Sequence, residues 1–280
     1  MKERIFLIFL FFANIFAWSV VYNLNQVEPL QVNFFDVGQG DSIFIQTPRG
    51  YQVLIDGGPT GVILEKLGSV MNFWDKSIDV VILTHPDHDH IAGLIEVLKK
   101  YKVDIVLWNG VLKETGESNE WERLLQEEFI ESKIVFSGYQ INTSMISFDV
   151  LYPFESLENT KMKNVNNSSV VIRVIFEDTS FLLTGDIDSS VKEKILEKEN
   201  LISSDVLKIA HHGSKTSFSE EFVKTVNPTV AIISVSKNNS YNHPHPTVLE
   251  LLDKYDISIL RTDLIGDIRI ISDGKNIKIN

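Results

Sequence analysis

The chain of 280 residues contains no cysteine. A disulfide framework and a thiolate metal site are therefore excluded, and any metal must be held by imidazole and carboxylate. Basic charge is also scarce. Lys and Arg number 26 against 38 Asp and Glu, for a formal net charge of −12, which argues against a broad basic surface that grips phosphate backbones. Affinity for nucleic acid would have to come from a local site. With 15 glycines and 8 prolines, the composition is neither collagen-like nor disordered, and no Pro/Gly/Ser-rich linker divides the chain. One large domain is expected over residues 31–280.

Polar residues are almost missing from Ile5 to Tyr22, where only Asn14 and Ser19 interrupt an apolar run behind Met1-Lys-Glu-Arg4. About eighteen residues of helix rise roughly 27 Å, close to the hydrocarbon thickness of a bilayer. Residues 1–23 are expected to form an uncleaved, single-pass membrane helix, followed by a polar linker over residues 24–30. Lys2 and Arg4 would stay in the cytoplasm, leaving everything after Asn23 outside. The alternative is a cleaved signal sequence and a secreted product. Against it, the run exceeds the usual apolar core of a signal, and no clear small-x-small site ends it.

Beyond the linker, the pattern predicts short strands at Val32 to Val37, Ser42 to Gln46 and Gln52 to Ile55, joined by Gly-containing turns. Helix-like periods follow over Thr60 to Asn72, Ile91 to Lys100 and Glu120 to Glu131, the last with a solvated face, interleaved with strands Val80 to Leu83 and Val103 to Leu107. The second half repeats the style. Strands are expected near Ile146 to Leu151, Val170 to Phe176, Phe181 to Thr184, Val206 to Ile209, Thr229 to Ser234, Ile257 to Leu260, Asp267 to Ile271 and Asn276 to Ile279. Helices are expected over Ser189 to Lys198, Ser219 to Val226 and Thr247 to Lys254. Two mixed halves, strands inside and helices outside, suggest an α/β fold of two sheets packed face to face and covered by helices.

The seven histidines are clustered: His85, His88 and His90; His211 and His212; His243 and His245. The first group sits in Thr84-His-Pro-Asp-His-Asp-His90, between an apolar strand and a helix. Desolvating His85, Asp87, His88, Asp89 and His90 in one turn without a cation would be very costly, so the turn reads as a metal site.

The order His-x-Asp-x-Asp-His resembles the His-x-His-x-Asp-His loop of the metallo-β-lactamase superfamily, with Asp87 where most families have histidine. Leu54-Ile-Asp-Gly-Gly58, Phe181-Leu-Leu-Thr-Gly-Asp186 and Ile209-Ala-His-His-Gly-Ser214 resemble further motifs of the same superfamily, in the same order. The resemblance implies an αββα four-layer sandwich and two divalent ions, Zn²⁺ or Mn²⁺. The implied ligands are His85, Asp87, Asp89, His90, Asp186 and His211; His212 is adjacent, and the sequence leaves the choice between the two open. Asp56 would support the metal loop, and His88 is either a supporting group or solvent-facing. The superfamily's usual histidine before the Gly-Asp motif is missing, since Asn166-Asn-Ser-Ser169 offers only amides and hydroxyls, Asn167 among them. Asp89 and His243 are the implied catalytic groups, His243 protonating the leaving oxygen or binding phosphate. Ser214 and Lys215 are candidate phosphate contacts, whereas Gly38, Gln39 and Gly40 are expected to shape a turn.

A narrower resemblance joins Phe34-Phe-Asp-Val-Gly-Gln-Gly-Asp-Ser42, His211-His-Gly-Ser-Lys-Thr-Ser217 and Ser236-Lys-Asn-Asn-Ser-Tyr-x-His-Pro244 to these motifs. Together they look like the extracellular hydrolase domain of ComEC-type competence proteins, over residues 31 to 272. In full-length members that domain follows a polytopic DNA channel. The resemblance implies a nuclease or phosphodiesterase acting on single-stranded DNA at the cell membrane, beside a separate DNA-uptake channel protein, because transport is not expected of this polypeptide by itself. Hydrolysis of a lactam, thioester or cell-wall component is a second reading, and a non-catalytic surface binding protein a third.

Overall fold

A computed structural model describes residues 2–24, 28–143, 145–198 and 201–280. Helix α1 (Lys2–Leu24) is followed by β1 (Leu30–Phe34), β2 (Ile43–Gln46), β3 (Gln52–Ile55), α2 (Val62–Val70), β4 (Ser77–Leu83) and α3 (His88–Leu98). Then come β5 (Lys102–Trp108), α4 (Gly116–Glu127), β6 (Glu131–Ile134), β7 (Gln140–Asn142), β8 (Ile146–Tyr152), β9 (Val171–Phe176) and β10 (Thr179–Leu183). The chain continues through α5 (Ser189–Glu197), β11 (Val206–Lys208), α6 (Glu220–Val226), β12 (Val230–Ile233) and α7 (Pro246–Lys254). It closes with β13 (Ser258–Arg261), α8 (Thr262–Ile265), β14 (Ile268–Ser272) and β15 (Ile277–Ile279).

The strands form an eight-stranded sheet, in the order β15-β14-β1-β2-β3-β4-β5-β6, and a seven-stranded sheet, in the order β13-β12-β11-β10-β9-β8-β7. Three apolar layers hold them. Phe34, Ile45, Ile82, Phe148, Val174 and Phe181 lie in the layer between the sheets. Leu54, Val81, Ile91, Leu94 and Trp121 bury the far face of the first sheet under α2, α3 and α4. Leu207, Ile233, Val191, Phe222 and Leu252 do the same for the second sheet under α5, α6 and α7. The result is the expected αββα sandwich, with parallel strands β3, β4 and β5 on one side and β10, β11, β12 and β13 on the other. Their C-terminal ends open onto one edge, where loops can meet.

Some elements depart from expectation. Helix α4 begins earlier than predicted, because Thr115 Oγ1 accepts a hydrogen bond from Ser118 N and caps its first turn. The helix is not simply solvated, since Trp121 is fully buried. Strands β6 and β7, absent from the pattern, are the outer strands of their sheets.

Helix α1 leaves large apolar side chains from Ile5 to Val21 exposed. Among the described residues, however, no helix is long and apolar enough to cross a membrane, so the structure does not support the single-pass anchor. The linker expected at residues 24–30 falls partly on residues 25–27, which lie outside the described residues.

Candidate metal centre

Strand β3 ends at Ile55, and Asp56 follows with a left-handed backbone at φ 56, a conformation Asp tolerates better than most residues. The turn aims its buried carboxylate at the loop after β4. It accepts hydrogen bonds from Thr84 N (2.8 Å), Thr84 Oγ1 (2.7 Å) and the His90 ring at Nδ1 (2.7 Å). These three bonds tie the loop after β4 to Asp56. Burial raises its pKa, while His90 and Thr84 pull the other way.

Those bonds decide where the ring protons sit. A carboxylate only accepts, so His90 carries its proton on Nδ1. His85 Nδ1 lies 3.0 Å from Thr84 Oγ1 and 3.2 Å from Ser169 Oγ. Both hydroxyl protons are committed elsewhere, to Asp56 and to the Asn166 carbonyl, so His85 donates from Nδ1. His212 Nδ1 lies 2.8 Å from the Ser234 carbonyl and also donates. All three imidazoles therefore turn their Nε2 atoms inward, each ring fixed through its other nitrogen.

Those atoms converge with two carboxylates. His90 Nε2 is 3.5 Å and His212 Nε2 is 3.4 Å from Asp186 Oδ2, and His212 Nε2 is 3.2 Å from Asp89 Oδ2. His85, His90 and Asp186 form one group able to hold a metal, and Asp89, His90 and His212 another, with ligand atoms inside 4.8 Å of each other in each. His85 Nε2 and His90 Nε2 are buried without a hydrogen-bond partner. Orphaning a buried polar atom costs about 1–3 kcal/mol, and a cation at the centre would remove that cost for both. The donor set fits divalent ions.

The electrostatics agree. Burial alone would push His90 down, yet Asp186, Asp56 and Asp89 raise it well above the usual imidazole range, so a cation bound there takes the place of a proton on Nε2. Burial lowers His85, with His90 adding to the effect. Burial opposes ionisation of Asp186, but His212, His90 and Lys208 hold its carboxyl well below the usual range. The site carries surplus negative charge and draws in positive charge.

Several expected residues stand outside these metal-holding groups, although Asp87 and His211 still line the cleft. The residues after β11 turn sharply, with His211 at φ 51 and His212 at φ 54. This double left-handed turn sends the two rings apart, so His212, not His211, faces Asp89. The His211 ring instead neighbours Asn166 Nδ2 (3.3 Å) and Thr216 Oγ1 (3.4 Å). Asp87 stands at the margin, its Oδ2 3.8 Å from His85 Nε2 and its Oδ1 2.6 Å from Lys113 Nζ. His88 points to solvent and pairs with Glu117, so it is not a supporting group. Asn167 bonds Asp188 on both sides of its amide, and Asn166 is the neighbour that lines the cleft. Ser214 caps a turn through Thr216 N, and Lys215 is exposed. Neither lines the cleft.

Other participants went unnoticed in the sequence. Lys208, fully buried on β11, forms an ion pair with buried Asp41 and lies 4.0 Å from Asp186 Oδ1. Its signal is a lysine inside the apolar run Val206-Leu-Lys-Ile209. Gly40 lets the Asp41 loop slide beneath the metal loop, since a Cβ there would meet the Asp89 carbonyl at 2.3 Å. Gln39 lines the cleft together with His243 and Tyr241. His243 is pulled down to about 4 by burial, then by His211 and His212, so at neutral pH it is an uncharged ring. The cleft itself is small, about 130 Å³. It adjoins a hollow of about 670 Å³ that shares Asp87 and Asn166 with it, whereas another of about 480 Å³ beside residues 47–51 lies away from the histidines.

The metallo-β-lactamase superfamily profile matches residues 35–237. The chain belongs to the metallo-β-lactamase superfamily. It is 37% identical over 261 residues to ComE operon protein 3 of Bacillus subtilis, covering 85% of this chain and 32% of that one. It is 31% identical over 240 residues to competence protein ComA of Neisseria gonorrhoeae, covering 84% of this chain and 31% of that one. The chain thus spans about a third of the length of these curated relatives. The crystal structure of the metallo-β-lactamase fold protein YhfI from Bacillus subtilis superposes with a TM-score of 0.54 at 12% identity, covering 82% of this chain and 95% of that one. At that identity the likeness shows the fold alone. Membership and the His/Asp clusters make the protein a metal-dependent hydrolase of this superfamily.

Proposed function

We propose that the chain is a metal-dependent phosphodiesterase that cuts DNA outside the cytoplasm. The observation that carries the reading is the convergence of three inward-facing Nε2 atoms on Asp89 and Asp186, with the rings locked by Asp56, Ser234 and the two hydroxyls. DNA as substrate is supported by likeness to ComE operon protein 3 and to a protein named for competence, the natural uptake of DNA. A cleft of about 130 Å³, below the roughly 300 Å³ where ligand pockets usually begin, suits a compact phosphodiester.

Two ions, Zn²⁺ or Mn²⁺, would be held by His85, His90, Asp89, Asp186 and His212, with Asp87 at the margin. When bound they supply Lewis-acid activation of water and neutralise charge on a phosphoryl oxygen. The chain's own residues do the rest. Asp186 is held by the His211 backbone N–H at 3.1 Å, so its other oxygen faces the cluster. Asp89 lies across the cleft, placed to orient water. His243, neutral by its depressed pKa, acts as a hydrogen-bonding group at the leaving oxygen rather than as an imidazolium.

Membrane association through α1, without a crossing, belongs to the same proposal, supported by exposed Phe6, Phe9, Phe12 and Trp18. So does work beside a separate DNA-uptake channel protein. The test is incubation of the purified full chain, in detergent with Mn²⁺ or Zn²⁺, with single-stranded DNA, bis-p-nitrophenyl phosphate and nitrocefin. Cleavage of the first two, lost on chelation and restored by metal, is expected. Hydrolysis of nitrocefin with DNA left intact across pH and metal conditions would replace this reading with that of a hydrolase of other substrates.

A further inference from the structure

We infer that Tyr241 is the platform on which an unpaired nucleobase stacks beside the scissile phosphodiester, so that the substrate is a single-stranded polynucleotide; this rests on the phosphodiesterase reading. Tyr241 is 66% exposed, yet it lines the same cleft as Asp89, Asp186 and His212. One face of its ring lies along His243, with centroids 5.7 Å apart and planes inclined by 25°. The exposure therefore belongs to the opposite face and the ring edge.

Single exposed aromatics are ordinary on protein surfaces, but this one is held on a closed loop. Asn239 Nδ2 donates to the carbonyls of Ser236 (2.9 Å) and His243 (2.7 Å), and its Oδ1 accepts from His243 N (2.9 Å). Ser236 N in turn donates to Gln39 Oε1 at 3.3 Å. A loop closed in this way holds the Tyr241 backbone in place, so less conformational freedom is lost on binding. The cleft, at about 130 Å³, has room for a phosphodiester but not for the base beside it; the adjoining hollow that shares Asp87 and Asn166 is lined by no aromatic ring, whereas Tyr241 offers one at the mouth. Stacking also suits a chain with a net charge of −12, because it needs no basic surface and accepts any base. A base inside a duplex has no free face to offer.

The test uses the metal-loaded full chain, a single-stranded oligonucleotide, the same strand with one abasic position moved stepwise past the mapped cut, and the duplex. Removing the flanking base should raise KM about tenfold, and the duplex should be cut poorly. Tyr241→Ala should raise KM for the intact strand by a similar factor, with kcat moving less, and should erase the difference between intact and abasic strands. Tyr241→Trp should preserve it. Metal content of Tyr241→Ala equal to that of the parent separates lost stacking from a damaged centre. Discrimination that survives Tyr241→Ala, equal KM for intact and abasic strands in the parent, or equal cutting of duplex would overturn the inference alone. If no oligonucleotide is cut at all, the phosphodiesterase reading fails and this inference falls with it.

Discussion

Up to β6 the site is made from one short stretch, His85 to His90, braced by Asp56 a strand away. From β7 onward it is made from residues far apart in sequence, Asp186, His212 and His243, each at the end of a different strand or loop. The first half fixes its side chains by side-chain hydrogen bonds. The second half relies more on backbone: a double left-handed turn at His211 and His212, the Ser234 carbonyl, and the His211 N–H on Asp186. Beneath both lies the buried Asp41–Lys208 pair, which joins the loop between β1 and β2 to β11 and crosses the two sheets. A dense loop can be tuned residue by residue, whereas a dispersed set depends on the packing that brings its strands into register.

The largest expected effect breaks the link between the halves. Lys208→Met leaves Asp41 buried without its partner and should cost about 3–5 kcal/mol of stability by urea unfolding. The double variant Lys208→Met with Asp41→Leu should recover most of that loss. If it does not, the lysine acts chiefly through Asp186 rather than through the pair. Next is the brace of the first half. Asp56→Ala should weaken metal affinity about 10- to 100-fold, measured by competition with a chelator, because His90 and Thr84 lose their common acceptor.

A third test separates the halves by pH. Burial pulls the Lys192 ammonium on α5 down to about 7, with Lys208 adding to the effect. In the unfolded chain it titrates near the usual ~10.4. Between those values the unfolded state binds the extra proton, so this residue's contribution to stability rises with pH from about 7 to about 10. The Tm difference between the parent and Lys192→Met should therefore change by a few degrees across that window. A difference independent of pH would mean that the native ammonium stays charged. The smallest effect is at His88. Exposed and paired only with Glu117, it should tolerate His88→Ala within about 0.5 kcal/mol, with metal affinity unchanged.

The same contrast governs how far the sequence could be read. The loop from His85 to His90 declares itself, because so many ligands in one turn have no cheaper explanation. Asp186 became legible only through its place in an ordered series of motifs. The choice between His211 and His212 was not legible, since two adjacent side chains are separated only by backbone dihedrals that composition does not specify. Lys208 carried a signal, a charge within an apolar strand, whose partner Asp41 is distant in sequence. Strands β6 and β7 escaped because they are sheet edges with largely exposed side chains, so no alternation of burial marks them. Trp121 turned a helix that reads as charged into one that is anchored in the core.

The central claim is that His85, His90 and His212, with Asp89 and Asp186, were folded to hold divalent ions. It is tested most directly by anomalous scattering from crystals of the full chain grown with Mn²⁺ or Zn²⁺. Strong peaks are expected, enclosed by the Nε2 atoms of those three histidines and the two carboxylates. Crystals that show no peak there after supplementation, or a peak coordinated by His211 with His212 turned away, would contradict it.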